Sequence, residues 1–273
     1  MPPKLGIIAG RGDLPIRLIE ACRASGREMF VLAVKNQTEE ALVTDVPHDW
    51  IRLGAGGKGI ELLHQAGVED VVFAGKFQRP SLAAMRPDAR TAKFFAKAGR
   101  AAWGDDGLLS AMVKEFEKEG FRIVAPDDIV TDLLAPSGPF GAIEPDKVAL
   151  DDISRGVAVA RALGDADVGQ AVVVQEGIVL GVEAAEGTDR LIARCKELQR
   201  QGPGGVLVKV KKPDQERRVD LPAIGLATVH AASDAGLRGI AVEAGGSLVV
   251  DRDRVTEAAD AAGLFIVGIT VET

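Results

Sequence analysis

The sequence has no tyrosine and only 4% aromatic residues, which argues against a surface that stacks unpaired bases. Cysteine is almost as scarce. Cys22 and Cys195 lie far apart in helical patterns, so they form neither a disulfide framework nor a metal-binding spacing. They are expected to be small core residues in a reducing cytosol. The three histidines, His48, His64 and His230, show no H-x-x-x-H or H-x-D spacing, so the two-metal phosphoesterase pattern is missing. Positive charge is not in excess: the net charge of -7 gives no general attraction to nucleic acid. No apolar run reaches the roughly 20 residues of a membrane span. The first residues, M-P-P-K-L-G-I-I-A-G, lack the order of a signal peptide. A cytoplasmic protein is expected, with any membrane contact peripheral.

What is present is an ordinary globular balance. Apolar residues make up 47% of the chain, enough for a sizeable core. The length of 273 residues corresponds to about two domains. A Pro/Gly-rich stretch, A-P-S-G-P-F-G-A at 135–142, is the best linker, which gives domains 1–134 and 145–273 around a linker at 135–144.

The first half alternates strand and helix patterns: Lys4–Ala9, Leu14–Ala24, Met29–Val34, an edge strand His48–Leu53, Gly59–Ala66, Glu69–Ala74, a basic helical stretch Ala84–Trp103, a helix ending at Glu119 and Phe121–Ala125. Asp127–Leu134 reads as a short helix. This βαβ order predicts a Rossmann-like, mostly parallel three-layer α/β unit. Two of its strands end in glycine turns, G-R-G-D-L-P at Gly10–Pro15 and G-K-F-Q-R-P at Gly75–Pro80. Such turns at the carboxyl ends of parallel strands cradle phosphates, because backbone N–H groups and a helix N-terminus favour anions. Position 15, where a dinucleotide fingerprint has its third glycine, is Pro, and no ribose-binding acid is clear. A plain βα turn and a solvated loop explain the same residues.

The second half mixes hairpins with helices, predicting an α/β unit with a mixed sheet. Gln170–Gln175 and Ile178–Val182 flank the turn Glu176–Gly177. Glu183, Glu186, Thr188 and Asp189 fall at a strand end and the start of the helix Thr188–Gln199, where Thr188 suits an N-cap and Asp189 the helix dipole. The densest chemistry is at Val206–Thr228. Alternating Val206, Val208 and Val210 mark a strand. Lys209, Lys211, Lys212, Arg217 and Arg218 then crowd around Asp214, Glu216 and Asp220, between Pro213 and Pro222. Cations mixed with carboxylates suit a phosphate and a divalent ion; a charged hairpin with solvated side chains fits the composition equally well.

Taken in order, G-R-G-D-L-P, F-A-G-K-F-Q-R-P, W-G-D-D-G-L-L, E-A-A-E-G-T-D and K-x-x-K-P-D-Q-E-R-R-V-D-L-P-A-I-G resemble the LpxI-type UDP-2,3-diacylglucosamine pyrophosphatases of lipid A biosynthesis. The resemblance covers nearly the whole chain; Glu216 stands where the pattern has Asp. It implies Mg²⁺-dependent hydrolysis of UDP-2,3-diacylglucosamine to UMP and 2,3-diacylglucosamine 1-phosphate, with substrate in a cleft between two domains and water attacking the sugar-side phosphorus. Asp220 matches the essential acid of the family and would hold Mg²⁺ or orient the water, with Glu183 as a further metal ligand. Lys209, Lys212 and Arg217 would supply positive charge in catalysis. Substrate would be bound by Gly10, Arg11, Gly12, Asp13, Gly75, Lys76, Phe77, Gln78, Arg79, Thr188, Asp189 and Gln215. A lipid-linked nucleotide as substrate, a homodimer and peripheral contact with the inner membrane are further expectations from the resemblance. The competing readings are a nucleotide-dependent ligase or oxidoreductase and a non-catalytic nucleotide or lipid carrier.

Overall fold

A computed structural model describes residues 2–78, 82–99, 105–213 and 215–271. The chain folds as two compact units, one of Met1–Thr131 with Glu216–Asp220, the other of Asp132–Gln215 with Leu221–Thr273.

The first unit carries β1 (Leu5–Ala9), α1 (Leu14–Ser25), β2 (Met29–Val34), α2 (Glu40–Val43), β3 (His48–Ile51), α3 (Gly56–Gln65), β4 (Asp70–Ala74), α4 (Leu82–Met85), α5 (Ala89–Ala98), α6 (Asp105–Lys118) and β5 (Arg122–Ile123). Its sheet runs β3-β2-β1-β4-β5, and every pairing is parallel. β1 and β4 are fully buried and apolar, as strands covered on both faces must be, except for Asp70 at the start of β4, which pairs with Arg27 and Arg122. Ile8, Leu32, Val34, Val71 and Phe73 pack on one face against Ile60 and Leu63 of α3 and Val113 and Phe116 of α6. The order reverses between β1 and β4, the crevice where open parallel sheets bind ligands.

The second unit carries β6 (Gly138–Pro139), α7 (Lys147–Asp165), β7 (Ala171–Gln175), β8 (Ile178–Val182), α8 (Thr188–Cys195), β9 (Val206–Lys209), β10 (Ala223–Ile224), α9 (Leu226–Asp234), β11 (Gly239–Glu243), β12 (Leu248–Val249), α10 (Arg252–Ala261) and β13 (Phe265–Ile269). Its main sheet is mixed, in the order β6-β13-β11-β9-β7-β8. Side chains alternate as the pleat requires. Val173, Leu207, Ile240 and Ile266 meet α8, α9 and α10 on one face. Val172, Val206, Val208 and Phe265 meet α7 on the other. Asp152 of α7 secures the β7–β8 hairpin by accepting from the N–H groups of Glu176 (3.0 Å) and Gly177 (2.6 Å), both of which have positive φ.

Several elements differ from the sequence expectations, each through a contact made elsewhere in the chain. Residues 135–144, read as a linker, contribute β6, which pairs antiparallel with β13. Asp127–Leu134 is not a helix: a 3-10 turn covers Pro126–Asp128, and Leu134 bridges Leu248. Helix α3 begins at Gly56 rather than Gly59, because its first N–H groups are capped by Thr91 and Asp88. The basic stretch 84–103 breaks at Pro87, and Asp88 caps α5. Cys22 and Cys195 are buried core residues, and burial pushes both thiols above their ordinary value. Among the described residues, no helix is long and apolar enough to cross a membrane.

Candidate active site

In the first unit the two glycine turns meet at the switch point. Arg11 and Lys76 form a two-way backbone bridge of 3.0 and 2.9 Å, and Gly10 N–H donates to Ala74 at 2.7 Å. This approach admits no side chain: a Cβ on Gly10 would lie 2.7 Å from the Lys76 carbonyl oxygen, and one on Gly75 would lie 2.5 Å from that of Arg11. Gly75 also has a φ of +90°, which glycine alone adopts readily. Sequence reasoning missed the brace behind these turns, Asn36, Gln37 and Thr38 after β2. Thr38 Oγ1 donates to the Ala9 carbonyl at 2.6 Å, Gln37 bonds the Gln78 backbone in both directions, and Arg11 donates to the Asn36 carbonyl. A polar K-N-Q-T run at the end of a largely buried strand is the signal that could have found it. Phe77 packs against the core, while Arg11, Gly12, Asp13, Lys76 and Gln78 are exposed. Arg79 lies outside the described residues, as do Asp214 and the side chains of Asp105 and Asp106.

The same unit holds the turn bearing Asp220. Val219 and Asp220 N–H groups both donate to the Glu216 carbonyl at 3.1 Å, closing one turn over Glu216–Asp220. Arg217 pairs with Asp127 at 2.6 Å, Arg218 with Glu117 at 2.7 Å and Glu216 at 2.9 Å, and Val219 packs into the apolar cluster. Asp127 follows β5, so this turn sits at the carboxyl edge of the sheet, the edge that carries both glycine turns. Hydrogen bonding from Arg218 holds the Glu216 carboxyl below its usual range. Asp220 itself is half-buried.

In the second unit Glu183, Thr188 and Lys209 come together at the carboxyl ends of β8 and β9, all buried. Thr188 Oγ1 donates to Glu183 Oε1 at 2.6 Å and accepts from Lys209 Nζ at 3.0 Å. Lys209 also donates to the Ala223 carbonyl, and Glu183 Oε2 accepts from the Gln170 N–H. Gln215 joins Gln170 and the Lys212 N–H, and Lys212 Nζ pairs with Asp167 at 2.6 Å. Asp189 is exposed.

One reading changes on this geometry, and the partners of four other residues become visible. Thr188 is not the N-cap of α8; Gly187 takes that position, and the hydroxyl links two opposite charges instead. Lys209, Lys212 and Arg217, expected to supply fixed positive charge, are each engaged by side chains of their own unit. Glu183 has both oxygens occupied and an ammonium group one hydroxyl away, an environment that disfavours a divalent cation. Among the described residues no three His, Cys, Asp or Glu side chains gather as a metal cage. Sequence reasoning also missed Glu243, buried at the end of β11, whose carboxylate accepts from the Lys211 N–H.

Comparison with known proteins identifies the family. The family model for the LpxI N-terminal domain matches residues 4–133, and that for the LpxI C-terminal domain matches residues 136–267. The UDP-2,3-diacylglucosamine pyrophosphatase LpxI of Caulobacter vibrioides is 43% identical over 273 residues, covering 97% of each chain. Among solved structures, the biotin carboxylase domain of a thermophilic 2-oxoglutarate carboxylase shows a TM-score of 0.24 at 15% identity over 63% of this chain and 35% of that one. N5-carboxyaminoimidazole synthase from Aspergillus clavatus shows 0.25 at 11% identity over 72% and 44%. Overlaps this slight carry no argument about function. Two family models spanning almost the entire length, and a full-length relative at this identity, establish that the chain belongs to the LpxI family.

Proposed function

We propose that the chain hydrolyses the pyrophosphate of UDP-2,3-diacylglucosamine to UMP and 2,3-diacylglucosamine 1-phosphate. Family membership supports the substrate. The observation that carries the chemistry is the clamped turn of Asp220 on the same sheet edge as the two glycine turns. A pyrophosphate diester carries two negative charges that repel an attacking water. Catalysis therefore needs fixed positive charge at the non-bridging oxygens and an aligned nucleophile.

This chain's residues divide that work. Backbone N–H groups of Gly10 and Arg11 are consumed by pairing with Ala74 and Lys76. A nucleotide phosphate would instead meet Gly12 and the first turn of α1, which has no acidic residue beyond its N-cap Asp13, beside Arg11 and Lys76. The Asp220 carboxylate would hold Mg²⁺ against the diphosphate. When bound, that ion would neutralise phosphate charge and lower the pKa of a coordinated water. The leaving UMP departs as an anion and needs little proton transfer. Because the substrate is a lipid, the same reading carries peripheral contact with a bilayer surface.

The test is hydrolysis of purified UDP-2,3-diacylglucosamine in heavy-oxygen water, with and without Mg²⁺. The label is expected in the sugar phosphate, and chelation should stop UMP release. Asp220→Ala should lower kcat by on the order of 10³-fold with the fold intact. A near-normal rate in that variant would remove Asp220 from the mechanism, and label in UMP would reverse the direction of attack.

A further inference from the structure

Asp127 lies in the 3-10 turn after β5 and is 7% exposed at its side chain. One of its oxygens, Oδ2, receives Arg217 at 2.6 Å. The other, Oδ1, is buried and has no hydrogen-bond partner among the described residues. A buried carboxylate oxygen without a donor costs stability. The pair returns little of that cost, because Arg217 is 51% exposed and water would solvate it well if it were released. Stability alone does not account for an aspartate here.

What the pair does fix is position. Arg217 stands three residues before Asp220 in a turn closed by the Val219 and Asp220 N–H groups on the Glu216 carbonyl, so what holds Arg217 also holds the backbone that carries Asp220. Arg218 and Val219 tether the same turn to α6 and to the core. We propose that Asp127 is a positioning residue for the hydrolysis, acting through Arg217 to hold the Asp220 carboxylate at the carboxyl edge of the first sheet. The proposal rests on the reading of Asp220 given above. It assigns Arg217 as an anchor and not as a ligand of the diphosphate.

The experiment compares Asp127→Asn, Arg217→Ala and the double variant with the full-length wild type. Expected for each is a fall in kcat of about 10- to 100-fold, with KM changed by less than about twofold. The Mg²⁺ concentration for half-maximal rate should rise about tenfold. The double variant should be no worse than either single change, as for two residues acting through one contact. Amide exchange at Val219 and Asp220 should quicken by about tenfold, while the melting temperature moves by less than about 2 °C. Unchanged exchange at these amides would overturn the anchoring, and quicker exchange with normal kcat would overturn its relevance to the reaction. Arg217→Ala that raises KM and adds to Asp127→Asn would make Arg217 a substrate ligand instead. Exchange needs no substrate, so a wild type that releases no UMP would sink the proposed reaction while the anchoring is still decided.

Discussion

Replacing Thr188 by Val tests whether the buried network at the end of the second sheet is a structural tie. The change keeps the shape and removes one hydroxyl. That hydroxyl donates to Glu183 at 2.6 Å and accepts from Lys209 at 3.0 Å, and all three residues are buried. Each lost bond involves a charged group and is worth about 1.5–3 kcal/mol. Lys209 keeps the Ala223 carbonyl and Glu183 keeps the Gln170 N–H, and the two charges can close part of the gap. The net expectation is a loss of about 3 kcal/mol, near the low end of the cost of breaking a buried ion pair. The transition of the second unit should then fall by about 6–12 °C. Thr188→Ser retains both bonds and should cost only about 1 kcal/mol for the missing methyl. Both tryptophans of the sequence, Trp50 and Trp103, precede the second unit. Calorimetry, with amide exchange over residues 182–191, is therefore the assay. A Thr188→Val protein within about 0.5 kcal/mol of the wild type would refute the idea that this hydroxyl bridges the two charges.

Gly75→Ala should destabilise the first unit by about 2–3 kcal/mol, since it combines a φ of +90° with a Cβ 2.5 Å from the Arg11 carbonyl oxygen; a lowered midpoint in urea, followed by Trp50 fluorescence, checks this. Glu216 supplies a pH signature. Its folded-state pKa is lowered, chiefly by hydrogen bonding from Arg218, so the stability it contributes is present above the ordinary glutamate value and is lost as pH falls through the lowered one. Wild type and Glu216→Gln should therefore differ in stability at neutral pH and converge in acid; parallel urea midpoints across that range would contradict the pairing.

Strand and helix order was legible in the sequence because buried parallel strands leave short apolar runs, and amphipathic helices leave a 3.6-residue period. β2 and the Glu176–Gly177 turn fall where those patterns put them. So do the two glycine turns, because only glycine lets their backbones approach so closely. Pairings between distant segments were not legible. Gly56–Lys58 carry no local sign that Asp88 and Thr91 will cap them, and Gly138–Pro139 resembles a linker until β13 lies beside it.

The charged loop after β9 marks the boundary between the two kinds of information. Its residue types fixed what chemistry was possible there: cations for phosphate and an acid for a divalent ion. Which cations are consumed internally depended on partners 45 and 90 residues away, Asp167 for Lys212 and Asp127 for Arg217. Only the folded chain decides that, because ion pairing is set by distance in space and by the water excluded around it. Tertiary structure also decided that Glu216–Asp220, flanked on both sides by chain of the second unit, belongs to the first.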